Sequence, residues 1–345
     1  MGHKGVLMLV NLPENVADLW TGAGALTGGF RAKLRSRRYR TADLNSVPDP
    51  EVVTVTTADG ARLRVHSYGP ADGDVIVFIH GWSCCLEYWN PQLNAFARDH
   101  RVIAFDQRGH GASTLGARPF DAEQLADDLS DVLDAVLPAG RKAVLVGHSM
   151  GGITIQAWAK FHPDQVARRA SAALLLTTTA GDIAAETRVL PIFNDIIPAP
   201  AWLGRALFGQ PVPFPAGSPV RGIFKARIMN RYATADQVDF GLSIVRSCRP
   251  LVRAKFALAL IELEIHGAAA SLRVPTSVVA GAYDNLLPEN MSRKIAEELA
   301  AAGNLDRYSV LATGHLANIE AAAEFNAELR RLMEAGRRGR HAVAG

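Results

Sequence analysis

The chain reads as an α/β protein, a mostly parallel central sheet flanked by helices, with a helical cap inserted near the sheet's carboxyl edge. Three observations predict this. After about residue 50, short β-branched apolar runs alternate with helix-like segments, the pattern of parallel strands joined by crossover helices. Most runs are apolar at successive positions, as strands covered on both faces are. The stretch 182–272 interrupts this rhythm with a proline-rich, aromatic passage, LPIFNDIIPAPAWLGRALFGQPVPFP, followed by helix-like patterning. An insertion of that length in a regular fold is usually functional.

The elements follow in order. EVVTVTTADGARLRVHSYG (51–69) is expected to form a β-hairpin about the turn dipeptide Asp59-Gly60. DVIVFIHG (74–81), RVIAFDQRG (101–109), KAVLVGHS (142–149), AALLLTTT (172–179), TSVVAGAYD (276–284) and LDRYSVL (305–311) are expected as buried parallel strands. Leu125, Leu129, Val132 and Val136 place one apolar stripe on a helix whose other face carries Asp127, Asp128, Asp131 and Asp134. Phe325, Leu329 and Leu332 do the same for a C-terminal helix. The resulting organisation is an extension over 1–50, a core over 51–181 and 273–335, the cap over 182–272, and a basic tail over 336–345.

With 48% hydrophobic and 21% charged residues in 345, the composition excludes disordered, collagen-like and multi-span membrane classes. Six basic residues and no acid fall in RAKLRSRRYR (31–40), and Arg330 to Arg340 holds five more with one acid, so the rest of the chain is acidic. No nucleic-acid groove is expected. VLMLVNL (6–12) is too short to span a bilayer. Together with the basic run it suggests a peripheral contact with an anionic membrane through residues 1–40, against the plainer reading of a solvated extension. Cys84, Cys85 and Cys248 are odd in number and form no C-x-x-C spacing, which favours a reducing, cytoplasmic setting over a disulfide framework or a cysteine zinc site. GAGALTGG (22–29) lacks the strand–turn–helix context of a phosphate loop and reads as flexible chain. No histidine–carboxylate cluster shows metal-site spacing, and no cofactor is expected.

The chemistry is expected at KAVLVGHSMGGITIQAWAK (142–160), where an apolar run stops on a serine between glycines and continues as a helix. A hydroxyl nucleophile must be exposed, placed beside a base and faced by donors for the oxyanion. A sharp strand-to-helix turn exposes Ser149, with Gly147 and Gly151 removing the Cβ atoms that would collide there, and the Met150 N–H at the helix start points at the oxyanion. After the strand in FIHGWSCC, Gly81 lets the Trp82 N–H supply the second donor, and the Trp82 ring would wall an acyl pocket. Of ten histidines, His315 in LATGHLANIE follows the last strand and is the expected base. His80 and His110 are expected to fix loop backbones, and the side chain of His148 to diverge from the turn. Asp284, in VVAGAYDNLLP, is the expected partner of His315; Asp182 in TTTAGD is the rival, and the chain order Ser149, Asp284, His315 favours Asp284.

HGW (80–82), DQRGHGAS (106–113), GHSMGG (147–152), GAYDNLLP (281–288) and GHLANIE (314–320) stand in the order and approximate spacing of the α/β-hydrolase superfamily, which the chain resembles over about 51–334. The resemblance implies Ser149 as nucleophile, His315 as base, Asp284 as its orienter, and Trp82 and Met150 as oxyanion donors, with Asp106 and Arg108 bracing the site. It implies a serine hydrolase that cleaves a small carboxylic ester, with a hydrophobic acyl group suggested by the apolar cap. Ser149 speaks against the epoxide hydrolase and haloalkane dehalogenase branches, which carry aspartate there. The cofactor-free haloperoxidase and perhydrolase group is similar at HGW but usually reads Gly-Phe-Ser and Arg-Gly-Phe-Gly where this chain has His148 and Arg-Gly-His-Gly. The carbon–carbon hydrolase branch shares SMGG, and some members of the superfamily bind ligands without turnover. These remain alternatives on sequence.

Overall fold

The computed structural model describes residues 23–187 and 217–343. Its sheet has eight strands: β1 (Glu51–Thr56), β2 (Arg62–Tyr68), β3 (Val75–Ile79), β4 (Arg101–Phe105), β5 (Ala143–His148), β6 (Ala170–Leu176), β7 (Thr276–Gly281) and β8 (Leu305–Leu311). Their order across the sheet is β1-β2-β4-β3-β5-β6-β7-β8. β1 and β2 form the expected hairpin and β2 runs antiparallel to β4; all other neighbours are parallel. The helices are α1 (Ala23–Ser36), α2 (Asn90–Phe96), α3 (Ala122–Val136), α4 (Met150–Phe161), α5 (Pro163–Arg169), α6 (Ile183–Glu186), α7 (Ser218–Ile228), α8 (Ala235–Ser247), α9 (Pro250–Glu262), α10 (Glu289–Ala301), α11 (Ala317–Glu320) and α12 (Ala322–Val343).

Strands β3 and β5 to β7 are buried throughout. Their side chains alternate between two apolar clusters, one on each face of the sheet. Val75, Val77, Ile79 and Leu145 pack with Leu125, Leu129 and Val132 of α3 and with Ile153 and Trp158 of α4. Ile76, Phe78, Val146 and Leu174 pack with Trp89, with Leu93 and Phe96 of α2, and with Phe325, Leu329 and Leu332 of α12. Every parallel strand therefore ends against the same edge, where open α/β sheets place their sites.

α3 begins where the Asp121 carboxylate accepts the Gln124 N–H, a side-chain cap on an otherwise unpaired donor. Asp128, expected on its solvent face, is instead buried against Arg108. The reason is a charge that must be met: the Arg108 guanidinium is 1% exposed and bonds both Asp128 (2.7 Å) and Asp59 in the hairpin turn (2.7 Å).

The described part of the cap consists of α6 to α9. Its two ends meet at the core, where the Ile265 N–H donates to Ala180 O and the Asp182 N–H to a Glu264 carboxylate. The aromatic passage at 190–215 lies outside the described residues, as does the apolar run at 6–12.

Three expectations are corrected. Residues 23–29, read as flexible chain, form the start of α1, and the extension is not simply solvated: α1 packs on α8, and Leu34, Tyr39 and Leu44 are buried. Three of the basic residues work inside the molecule: Arg31 donates to Ser247 O, Arg35 pairs with Glu87, and Arg37 pairs with Asp239 of α8. Packing on the cap explains a helix that its glycines alone would not favour. At the other end, 336–343 continue α12 as helix rather than forming a separate tail. No helix among the described residues is long and apolar enough to cross a membrane.

Breaking a buried ion pair from one side strands a charge and costs about 3–5 kcal/mol. Arg108→Met should therefore lower unfolding stability by about that amount, as measured by urea denaturation. Adding Asp59→Asn and Asp128→Asn should restore part of the loss, because the stranded carboxylates are then removed.

Candidate active site

β5 delivers Ser149 to the sheet's carboxyl edge and α4 starts on the next residue. Ser149 takes φ 53° and ψ −119°, a backbone conformation that costs on the order of 1–3 kcal/mol for a residue with a side chain. The surroundings hold it there. Its N–H donates to Leu176 O at 2.9 Å, and its carbonyl accepts the Gly152 N–H and the Thr178 hydroxyl. The flanking glycines are required by space: a Cβ on Gly147 would lie 2.4 Å from Gly151 O, and one on Gly151 would lie 2.1 Å from Ile79 O.

His315 and Asp284 meet as expected. The His315 Nδ1 lies 2.7 Å from Asp284 Oδ2, and His315, Asp284 and Ser149 are 4%, 6% and 8% exposed. Asp284 sits in the loop after β7, where its other oxygen accepts the Leu286 and Leu287 N–H groups. A carboxylate held this way accepts the Nδ1–H and leaves Nε2 as the basic nitrogen. The His315 carbonyl accepts from the Thr177 hydroxyl and from His148 Nε2, each at 3.0 Å. Thr177 itself has positive φ.

Asp182, the rival carboxylate, faces elsewhere, toward Lys294 and His266. With Glu264 and His266 it forms a group whose ligand atoms lie within 4.8 Å of one another, which no sequence spacing announced. His266 already bonds Glu264 at 2.6 Å, and the Lys294 ammonium faces Asp182 at 3.4 Å and Glu186 at 2.5 Å. The group reads as an ion-pair cluster at the neck of the cap.

The loop after β3 comes close to the serine: a Cβ on Gly81 would be 3.0 Å from Ser149 Cβ. Trp82 follows it, and its indole N–H donates to Arg253 O of α9. Asp106 holds the same loop by accepting the Leu86 N–H, and also binds Arg64 and the Ala112 N–H. Arg108 serves α3 and the hairpin instead. Sequence reading missed Gln107, whose backbone N–H donates to His80 Nε2, whose side-chain amide donates to His80 O, and whose carbonyl oxygen accepts from Thr154 of α4. It also missed Glu320, which accepts the N–H groups of both Gly314 and Leu316. A signal for Glu320 was present in GHLANIE, in an acid five residues after the histidine. Cys84, Cys85 and Cys248 are buried free thiols, and burial raises their pKa values, that of Cys248 to about 11.

His80 and His110 hold loop backbones, whereas the side chain of His148, expected to diverge from the turn, instead lies beside the site, with its Nε2 bonded to the His315 carbonyl and its ring centre 4.8 Å from that of His315. His80 Nδ1 bonds Gly81 O, His110 Nδ1 bonds Arg108 O, and the His148 ring stacks on Tyr88. Burial lowers the pKa of all three, that of His110 to about 3. Because the unfolded value is near 6.5, each contributes stability that is complete above that pH and is lost as pH falls toward the folded value. Unfolding stability should thus fall between pH 7 and pH 5, by up to about 1.4 kcal/mol per pH unit below 6.5 for each such histidine. Chemical denaturation at the two pH values should show a shallower dependence for His110→Gln than for the parent.

Comparison with known proteins bears on the fold and the family. Over 117 residues the chain is 38% identical to a non-heme chloroperoxidase of Streptomyces lividans, covering 33% of this chain and 42% of that protein. Over 116 residues it is 39% identical to a bifunctional esterase/perhydrolase of Acinetobacter calcoaceticus, covering 33% and 41%. These matches span about two fifths of each relative's length. The fold also matches that of a thermophilic esterase from Thermogutta terrifontis with a TM-score of 0.66 at 22% identity, over 83% of this chain and 99% of that one. The profile of the alpha/beta hydrolase family matches residues 76–328, and the chain belongs to that family.

Proposed function

We propose that the protein is a serine hydrolase that cleaves a carboxylic ester through an acyl-enzyme. Ser149 Oγ attacks the ester carbonyl while His315 Nε2 takes its proton, and the backbone N–H groups of Met150 and Trp82 receive the oxyanion. His315 then protonates the leaving alcohol. It next draws a proton from water, which attacks the acyl carbon, breaks the bond to Oγ and releases the acid as Ser149 regains its proton. Asp284 fixes the imidazole tautomer and stabilises the imidazolium. The observation that carries this reading is the 2.7 Å bond between His315 and Asp284, buried at the same strand ends as a serine in a strained turn. A hydrophobic acyl group is supported by Trp82 beside Gly81, with its indole bonded to the cap, and by the apolar cap sequence. The contacts of the basic run with the cap favour a role in holding α8 over the membrane contact that its charge suggests.

The relatives named for chloroperoxidase and perhydrolase activity motivate a second reading at the same serine. Hydrogen peroxide would replace water as the acceptor: a peroxide oxygen attacks the acyl carbon, the bond to Ser149 Oγ breaks, the proton returns to Oγ through His315, and a peracid leaves.

The test is hydrolysis of p-nitrophenyl esters from acetate to palmitate, with and without peroxide. The parent should turn over with a chain-length optimum. Ser149→Ala and His315→Ala should each lower kcat by about 10⁶-fold, and Asp284→Asn by about 10⁴-fold. An active Ser149→Ala protein would overturn the nucleophile. Peracid formation exceeding hydrolysis would favour the second reading, and inactivity on every ester would favour carbon–carbon hydrolysis or ligand binding without turnover.

A further inference from the structure

The end of cap helix α7 is bonded to the loop that carries His315 at several points. The His315 N–H donates to Ile228 O, the last residue of α7, at 2.7 Å. Two residues further on, the Asn230 N–H donates to Glu320 Oε2 at 2.7 Å, and the Asn230 side-chain amide donates to Ala312 O at 2.9 Å. Gly314 has no room for a side chain, since a Cβ there would lie 2.6 Å from Ile228 O.

Glu320 is the node of this arrangement. Its Oε2 accepts the Gly314 N–H at 3.0 Å as well as that of Asn230, and its Oε1 accepts the Leu316 N–H at 3.1 Å. One carboxylate thus holds the backbone on both sides of His315 and one N–H of the cap. Hydrogen bonds to an ionised acceptor are the strong ones, and closing a short turn would need only one. Ser149 is fixed by its turn and Asp284 by its own loop, so the third reacting side chain depends on a separate set of anchors. On the core side these are Thr177 and His148 at the His315 carbonyl; on the cap side they are Ile228 and Glu320.

We propose that Glu320 is a positioning residue that couples the cap to His315: by locking Gly314 and Leu316 to the end of α7 it makes the imidazole and the cap move as one unit. The proposal rests on His315 being the base of the proposed reaction. Proton transfer depends steeply on placement, so a small displacement of this loop acts on kcat more than on substrate binding.

Two substitutions and two readouts test it. Glu320→Gln keeps the size and one acceptor oxygen but turns an amide N–H toward one of the three donors. Asn230→Ala leaves Glu320 intact and removes the bond to Ala312 O. The readouts are the steady-state kcat and KM on the preferred p-nitrophenyl ester, and the downfield proton resonance of His315 Nδ1–H, assigned by its loss in His315→Gln. Glu320→Gln should lower kcat by about 10- to 100-fold with KM within about twofold, and should move or broaden the resonance. Asn230→Ala should do the same to a smaller degree. Folded variants with unchanged kcat and an unmoved resonance would overturn the coupling, as would losses confined to thermal stability. Should the parent hydrolyse no ester, the acyl-transfer reading fails and the resonance alone decides the coupling. Should Glu320→Gln not fold, Asn230→Ala decides it on the same readouts.

Discussion

The close approach of three backbone segments around Ser149 is the constraint on which the rest of the site depends. β3 ends at Ile79, whose carbonyl stands where a Gly151 side chain would begin, and a Cβ on Gly152 would lie 2.6 Å from the Thr178 hydroxyl. With no space to relax, the chain turns at Ser149 itself. The strain is tolerable because β3, β5 and β6 are buried and held in register, so unwinding the turn would disrupt neighbouring strands. Positive φ at Ser83, Ser149 and Thr177 follows the same logic: each lies just past the carboxyl end of a strand, where the chain must change direction within a packed space.

The histidines packed around this turn other than His315 are held neutral by burial. His148 is the instructive case. Its ring centre is 4.8 Å from that of His315, so a cation there would oppose the imidazolium that the proposed proton transfer forms. Burial keeps His148 uncharged while its N–H still holds the His315 carbonyl. The arginine–carboxylate pairs serve the frame, with Arg108 between Asp59 and Asp128 and Arg64 between Glu87 and Asp106. They fasten loops and helices to the sheet and leave the reacting centre to hydrogen bonds of fixed direction.

What the sequence made legible was local. Continuous apolar runs at 75–79 and 143–146 identify buried strands because burial on both faces removes alternation. Gly147 and Gly151 identify the turn because no other residue fits it. His315 and Asp284 could be paired because chain order in this fold restricts which strand ends carry them. What was not legible depends on partners distant in the chain. Asp128, read on the solvent face, lies three residues from Leu125 and four from Val132, at the edge of the apolar stripe, and the partner that keeps it buried, Arg108, stands twenty residues earlier. The basic run at 31–40 looks like a free cationic surface until Glu87, Asp239 and the Ser247 carbonyl are brought beside it. Glu320 follows the same rule, since a carboxylate that accepts only backbone N–H groups leaves no complementary residue type to search for.

The inserted segment is accordingly part of the frame of the candidate site. α7 is bonded to the His315 loop and α8 to the N-terminal segment. Through Arg249 just before it and Arg253 within it, α9 is bonded to the loops after β4 and β3. A cap free to swing would need few bonds to the core, and here separate helices engage the loops that carry His315, Trp82 and the Gly109–Ser113 turn. The sheet supplies the positions of the reacting atoms, which relatives of different chemistry can share. On the proposed reading the inserted segment would act on selectivity and on rate through the same contacts, because whatever alters its seat also alters the backbone on which His315 is hung.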